Sequence, residues 1–372
     1  MEKEKGTIVL IGNHHIVIYN FRKELIERLL LENYRVVVLM PYTKEAEKIK
    51  ALGCELVDIP VDRRGMNPIR DGKLFFRYRK ILKKLHPSAV LTYTIKPNIY
   101  GGMACRLLHI PYICTITGVG KGVEQGGILS RLIFIMYRIA MKNVQRIFFQ
   151  NKQDFSLFKK SYVGQGRYRI VNGSGVNLEN FTYQHFPPEA DTLRFIFIAR
   201  IDKLKGINEY LEAATFIKKK YPHTEFHILG FWQEDYQERI ETLSKQGIVI
   251  YDGMQEDVIP YLRKSQCLIH PSYLEGMSNA CLEAAATGRA VIASDIPGCR
   301  ECVDNGKTGY LFTPGHVNDL IEKIEKFIAL PYNEKKRMGE LGRKKMETEF
   351  SREKVVNAYI DELKNIANKE EE

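Results

Sequence analysis

The sequence predicts an α/β protein built from two Rossmann-like, doubly wound parallel-sheet domains in series, and three observations predict it. Short β-branched runs alternate with longer amphipathic ones, the pattern of a parallel sheet covered by helices on both faces. The alternation pauses once, at "FTYQHFPPEADT" (181–192), where two prolines and polar neighbours read as a linker, and then restarts. The chain has 372 residues, long for one core and comfortable for two.

The elements follow in order. "TIVLI" (7–11), "RVVVLM" (35–40), "CELVDI" (54–59), "SAVLTY" (88–93), "PYICTIT" (111–117) and "QRIFFQ" (145–150) read as buried strands, each separated from the next by a helical pattern. After the linker come "LRFIFIA" (193–199), "TEFHILG" (224–230), "GIVIYDG" (247–253), "QCLIHP" (266–271) and "RAVIASD" (289–295). The last segment, "SREKVVNAYIDELKNIANKEEE", reads as a helix capped by Ser351. The domains are therefore expected at 1–187 and 188–350, with 351–372 a helix returning to the first. Two such sheets are expected to face each other across a cleft at the carboxyl ends of their strands, where open α/β sheets bind ligands.

Composition bounds the chemistry. Apolar residues make up 44% and charged ones 27%, ordinary for a globular protein. The seven cysteines are an odd number, and "MEKEKGTIVLIG" lacks the zones of a signal peptide, so reduced thiols in a cytosol are expected. Cys299 and Cys302 form a lone C-x-x-C; zinc would need a second pair, and none has suitable spacing, so no metal site and no cofactor are expected. The net charge of +11 is unevenly placed. Residues 1–190 carry 30 Lys and Arg against 15 Asp and Glu, and residues 61–170 carry 21 against four. Such a surface attracts anions: nucleic acid, phosphates or an acidic membrane leaflet.

Chemistry gathers at two strand ends. In "HPSYLEGMSNACLEAAATG" (270–288) a strand, a turn and a helix closed by Gly288 follow one another, so the amides of Gly276, Met277, Ser278 and Asn279 are expected to face an anion. Glu283 lies about one turn further in, between small alanines, where a carboxylate needs a hydrogen-bonding partner such as a ligand diol. Glu275, just before the glycine, could instead only complement the helix dipole, and Glu283 could be solvated. The second cluster is "IARIDKLKG" (198–206), which brings Arg200 and Lys205 out of a strand's carboxyl end. Two cations opposite a helix N-terminus would clamp a diphosphate and stabilise a departing one more in the transition state than in the ground state.

These residues carry a resemblance. "EGMSNACLE" resembles the E-x7-E motif of the retaining, metal-independent glycosyltransferases of family 4, and "VNGSGVNLENF" (171–181) resembles the passage into their interdomain linker. "ARIDKLKG" is similar to their basic donor-phosphate motif, and "DIPGCRECVDNGKTGYLF" (295–312) to their next strand–loop–helix. The resemblance spans essentially the whole chain. It implies a GT-B fold with the acceptor on the N-terminal domain and a nucleotide sugar on the C-terminal one. It further implies that Glu283 holds the ribose hydroxyls, that Glu275 lies beside the donor sugar, and that Arg200 and Lys205 stabilise the leaving nucleotide diphosphate. No Asp-x-Asp motif is present, which agrees with chemistry that needs no metal.

Part of the pattern departs. Many members carry a histidine on the N-domain loop near the donor sugar, whereas "TITGVGKGVEQGG" (115–127) places Thr117 and Gly118 there. Glu124 is the one acid of this loop and the candidate for orienting or deprotonating the acceptor hydroxyl. Gly12, Asn13 and His14, with His15, follow the first strand and are expected near the donor phosphates. That loop, with "RRGMNPIRDGK" (63–73) and "YTIKPNIYGGMA" (93–104), resembles a bacterial subgroup that adds N-acetylhexosamines to undecaprenyl-diphosphate-linked sugars in glycan and capsule assembly. The implied partners are a UDP-sugar, a polyprenyl-diphosphate acceptor and an anionic membrane, with Arg63, Arg64, Arg70 and Lys73 nearest to hand for the acceptor's diphosphate. "LFFRYRKILKKL" (74–85) and "GILSRLIFIMYRIAMK" (127–142) pair apolar stripes with basic ones; the second is too interrupted to span a bilayer and either lies on one or is a domain helix with a snorkelling edge. A peripheral site on the inner face of the plasma membrane follows. Two rivals remain: a GT-B epimerase acting on a free nucleotide sugar, and a nucleic-acid-binding protein, which would leave E-x7-E unused.

Overall fold

A computed structural model describes residues 4–371 apart from 63–66, 125 and 165. The chain divides into two compact units, Met1–Ser174 with Arg352–Glu372, and Gly175–Ser351.

The first unit is built on seven strands: β1 (Gly6–Ile11), β2 (Tyr34–Met40), β3 (Glu55–Asp58), β4 (Ala89–Tyr93), β5 (Tyr112–Ile116), β6 (Arg146–Phe149) and β7 (Tyr168–Ile170). Every pairing is parallel, in the order β3-β2-β1-β4-β5-β6-β7. Ile8 registers against Val36 on one side and Ala89 on the other, so the strand order reverses between β1 and β4. Alternate residues feed two cores. Val9, Ile11, Val37 and Leu39 pack with Tyr78 and Leu82 on one face, while Ile8, Leu10, Val36 and Val38 pack with Leu25, Tyr359 and Leu363 on the other. Because both faces are covered, these strands read as continuous apolar runs.

The helix Arg352–Glu371 covers part of the second face. The Tyr359 ring meets Phe148 edge-on at 4.5 Å, and its hydroxyl shares a 2.6 Å hydrogen bond with Thr115 Oγ1. The buried Arg22 guanidinium lies 4.5 Å from the Tyr93 ring and 5.8 Å from Tyr359, and donates to Ser174 Oγ at 2.9 Å. Arg352 fastens the start of the helix by donating to Asn20 O at 3.0 Å and Glu24 Oε2 at 2.8 Å.

The second unit has six parallel strands: β8 (Leu193–Ile198), β9 (Thr224–Leu229), β10 (Ile250–Gly253), β11 (Cys267–His270), β12 (Ala290–Ser294) and β13 (Gly309–Phe312), in the order β10-β9-β8-β11-β12-β13. Its order reverses between β8 and β11. The loops that leave those two strands are the ones carrying Arg200 and Glu275.

Two boundaries differ from expectation. The units part at Ser174 and Gly175 rather than at residue 187, because the intervening segment packs on the second unit. Val176 N donates to Phe350 O at 2.8 Å, Gln184 N to Thr287 O at 3.2 Å, and Arg343 Nη1 to Phe181 O at 2.7 Å. The segment 295–312 ends in strand β13 instead of a helix, since "GYLF" registers beside β12 and extends the sheet.

Removing the Tyr359 side chain should empty a filled, aromatic-lined space in the first unit. Tyr359→Ala is expected to lower that unit's stability by about 3 kcal/mol or more, and Tyr359→Phe by only about 1 kcal/mol, in urea unfolding of the full chain.

Candidate active site

In the second unit, the loop after β8 is shaped by Asp202, whose Oδ1 accepts from Lys205 N at 2.9 Å and caps the 3-10 turn Lys203–Lys205. Gly206 follows with φ +74°, and a Cβ there would stand 2.0 Å from Pro271 O, so only glycine brings this loop against the one after β11. Tyr273 N then donates to Leu204 O at 2.9 Å, and Ser272 Oγ to the same carbonyl at 3.3 Å.

The consequence is an ion pair between residues 70 apart. Lys205 Nζ lies 2.5 Å from Glu275 Oε1, and His270 Nε2 lies 2.8 Å from the same oxygen. The side chains are 17%, 11% and 2% exposed for Lys205, Glu275 and His270. Burial alone would raise the Glu275 pKa, but the Lys205 ammonium and the His270 hydrogen bond hold it at about 2. Burial alone would lower that of His270, but the Cys281 sulfur and the Glu275 carboxylate beside it outweigh this and raise it. Arg200 stands apart: its side chain is 41% exposed and its Nη2 lies 3.5 Å from Asp202 Oδ2 on its own loop.

The helix Asn279–Ala286 begins at Ser278, whose Oγ accepts from Cys281 N at 3.3 Å. The four amides expected to face an anion are not all available, because Ser278 N donates to Gly298 O at 2.8 Å. Gly298, with φ +81°, fits against Gly276 where a Cβ would meet its carbonyl carbon at 2.8 Å, and this contact holds the 295–300 turn on the loop. The Met277 side chain is buried in the core under the helix, against Cys302, so this residue can meet a ligand only through its backbone amide. Glu283 is half-buried one turn in, and its carbonyl accepts from Thr287 N at 3.0 Å.

In the first unit, Gly12, Asn13 and His14 leave β1. His14 is extended and caps the helix His15–Leu31, its Nδ1 accepting from Ile16 N at 3.3 Å, so the ring has a local task that its position in a loop did not disclose. The Asn13 Oδ1 is buried and has no partner among the described residues. Thr117 and Gly118 follow β5, half-buried, with Gly118 at φ +119°. Glu124 ends the short helix Lys121–Glu124, and its side chain lies outside the described part, as do Arg63 and Arg64 altogether.

Arg70 and Lys73 lie on the helix Pro68–Leu85, capped by Asn67 Oδ1, which accepts from Ile69 N at 3.0 Å and Arg70 N at 3.2 Å. With Asp62, Asp71 and Arg77 they line a groove of about 510 Å³. Asp71 is buried there, accepting from Lys96 Nζ at 2.6 Å and Tyr100 OH at 3.2 Å. The folding of the chain thus joins Lys205 to Glu275 and Arg70 to Lys73. It adds His270, Asp71, Lys96 and Tyr100, which sequence reasoning missed although "YTIKPNIY" and "HPSYLEG" both stood out.

Two sequence families match these two units. The one described as "Glycosyl transferase 4-like" matches residues 7–151, and "Glycosyl transferases group 1" matches 182–345. The chain belongs to the glycosyltransferases. Its fold is GT-B: a glycosyltransferase from Rickettsia africae superposes with a TM-score of 0.81 over 98% of this chain and 99% of its own, at 17% identity. Among its relatives is the N,N'-diacetylbacillosaminyl-diphospho-undecaprenol alpha-1,3-N-acetylgalactosaminyltransferase of Campylobacter jejuni, 27% identical over 82% of this chain and 85% of that one. Another is the UDP-Gal:alpha-D-GlcNAc-diphosphoundecaprenol alpha-1,3-galactosyltransferase of Escherichia coli, 25% identical over 72% and 73% of the two chains. None of these is an epimerase or a nucleic-acid-binding protein.

The Glu275 ion pair makes this glycosyltransferase sensitive to acid. A carboxyl that titrates near 2 when folded and near 4.5 otherwise contributes stability above the higher value and loses it as pH falls toward the lower. The contribution is about 3 kcal/mol. In thermal unfolding, Glu275→Gln should melt below the wild type at neutral pH, and the gap should close between about pH 4.5 and pH 2; a gap constant across that window would show that the charge is not what holds the loop.

Proposed function

We propose that this enzyme transfers an N-acetylhexosamine from a UDP-sugar, with retention, to a hydroxyl of a polyprenyl-diphosphate-linked saccharide in bacterial glycan or capsule assembly. The observation that carries this reading is likeness over four-fifths of the chain to a transferase whose name states an undecaprenol-diphosphate acceptor and an alpha linkage. The first unit supports it with the groove lined by Arg70, Lys73 and Arg77, cations suited to a lipid-linked diphosphate.

In this reading the second unit holds the donor. Arg200 and Lys205 face the diphosphate with the helix N-terminus at Asn279, and Glu283 takes the ribose hydroxyls. The anomeric C–O bond to the β-phosphate breaks, the acceptor oxygen forms the new bond, and the acceptor's proton passes to a base, for which Glu124 is the proposed group. Glu275 keeps the Lys205 ammonium in place while charge builds on the leaving group. Fixed cations fill the part a divalent ion plays in other transferases, so the chemistry itself is metal-independent. Within the first unit, Gly12, Asn13 and His14 offer polar groups to a phosphate, and Thr117 and Gly118 line the acceptor's approach.

The first unit is proposed to rest on the inner face of the plasma membrane. In the helix Gly127–Ala140, Ile128, Leu132, Ile135 and Ile139 form an exposed stripe at helical spacing, Ile128 being 87% exposed, with Arg131 and Arg138 beside it. No helix among the described residues is long and apolar enough to cross a membrane. Apolar residues flanked by cations suit an anionic bilayer surface, each nearby cation contributing about 1 kcal/mol.

Arg200→Ala should lower turnover a hundredfold or more, the usual cost of about 2.7–4 kcal/mol for one transition-state charge partner, with an unchanged circular dichroism spectrum. With labelled UDP-GlcNAc or UDP-GalNAc, a short polyprenyl-diphosphate sugar and no added divalent ion, an α-linked lipid product is expected. A β-linked product, strict dependence on magnesium or manganese, or preference for a free sugar would overturn the assignment. Co-sedimentation with vesicles should require anionic lipid, weaken in salt and fall in an Ile128→Ser/Ile135→Ser variant; equal binding to neutral vesicles would contradict the membrane role.

A further inference from the structure

His270 ends β11 inside the second unit and is 2% exposed. Its Nε2 is engaged by Glu275, while its Nδ1 is buried and has no partner among the described residues. Cys281 stands in the first turn of the helix Asn279–Ala286, and Cys299 in the turn between β12 and β13; both are free and fully buried. A ring nitrogen of His270 and the sulfur atoms of Cys281 and Cys299 all lie within 4.8 Å of one another.

We infer that His270, Cys281 and Cys299 form a binding site for a thiophilic cation, with zinc the natural occupant. One imidazole nitrogen and two thiolates make the Cys2His set that holds zinc with a fourth position left to a small ligand such as water, and zinc bond lengths bring ligand atoms to roughly 3.5–4 Å from one another, a small closure from the spacing here. Metal-bound histidines characteristically donate their second ring N–H to a carboxylate, which fixes the tautomer and aims the lone pair. The Nε2 contact with Glu275 is that arrangement, and it leaves Nδ1 as the ligand atom. A buried, unpartnered nitrogen is otherwise costly to keep, and a cation satisfies it.

The charges balance as well. Two thiolates neutralise a divalent ion, their protons leaving to solvent on binding, while Glu275 is matched by Lys205. Cys302 does not take part: its Sγ faces Met277 Sδ at 3.4 Å and Gly298 O at 3.3 Å. The C-x-x-C pair is therefore divided between two environments, and the partners of Cys299 come from 18 and 29 residues away. Spacing along the chain could not show them. The ion would tie the end of β11, the start of the helix and the turn at Cys299 together, which positions Glu275 and the helix N-terminus without entering the sugar chemistry. The inference goes beyond the transfer reaction and does not depend on which sugar or acceptor is used.

The test uses the full-length enzyme, purified without chelator and desalted. Elemental analysis should find about one zinc per chain, or uptake of about one cobalt per chain after chelator treatment, with a thiolate-to-cobalt charge-transfer band in the near ultraviolet. Cys299→Ser and Cys281→Ser should each lower metal content at least tenfold and abolish that band, while Cys302→Ser keeps both. Overturning results are a wild-type protein that takes up neither metal with its thiols reduced, a Cys281–Cys299 disulfide found by mass spectrometry, or metal retained in both serine variants. Should a serine variant fail to fold, the wild-type cobalt spectrum and the Cys302→Ser protein still decide the matter.

Discussion

The Lys205–Glu275 contact is what the second unit's functional edge depends on. Two buried charges are expensive to desolvate and are tolerated only where each finds its partner in good geometry with further hydrogen bonds around it. Here the geometry comes from backbone. Gly206 lets one loop touch Pro271, Leu204 O receives two donors from the other loop, and the lysine and glutamate meet as a result. His270 completes the carboxylate's environment from the strand below. Removing Glu275 would leave the Lys205 ammonium buried without its partner, and removing Lys205 would leave Glu275 with His270 alone, so the pair serves to place an ammonium, whatever its net effect on stability.

Much of the fold was legible. Eleven of the thirteen strands follow from β-branched runs flanked by turn residues, and the reversal of strand order follows once those runs alternate with helices. What escaped has physical causes. Tyr168–Ile170 is a three-residue edge strand, too short to show a period. Gly309–Phe312 becomes a strand because β12 offers it a partner, a tertiary decision that local pattern does not carry. The polar, proline-containing stretch after Ser174 reads as linker but is held by backbone bonds to the helices of the second unit. In the site, the two motifs were each legible, and their juxtaposition was implied by the strand ends. His270 was not, because a histidine inside an apolar strand carries no signal until its neighbours are known. Neither was Asp71, whose partner Lys96 lies 25 residues away.

The first unit separates its charges by function. Arg22 is buried between aromatic rings and holds helices together, and Arg146 and Arg169 pair with Glu362 on the last helix. Arg70, Lys73 and Arg77 are exposed on one helix; among the described residues their groove holds two acids, Asp62, which lies 3.4 Å from Arg70, and Asp71, already paired with Lys96. The surplus of positive charge visible in the sequence therefore divides into a structural part, neutralised within the fold, and a part left for anions outside it.

The helix Arg352–Glu371 fixes an order of events during synthesis. Residues 4–174 leave the ribosome before the second unit, yet one face of their sheet stays open, with Phe148 and Thr115 lacking Tyr359, until the helix Arg352–Glu371 emerges. The second unit, Gly175–Ser351, is by then complete in sequence and free to fold. The first unit is thus completed only after the second has been made, and an uncovered apolar face must wait through the translation of an entire unit, a window in which the nascent chain is exposed to aggregation and to chaperones.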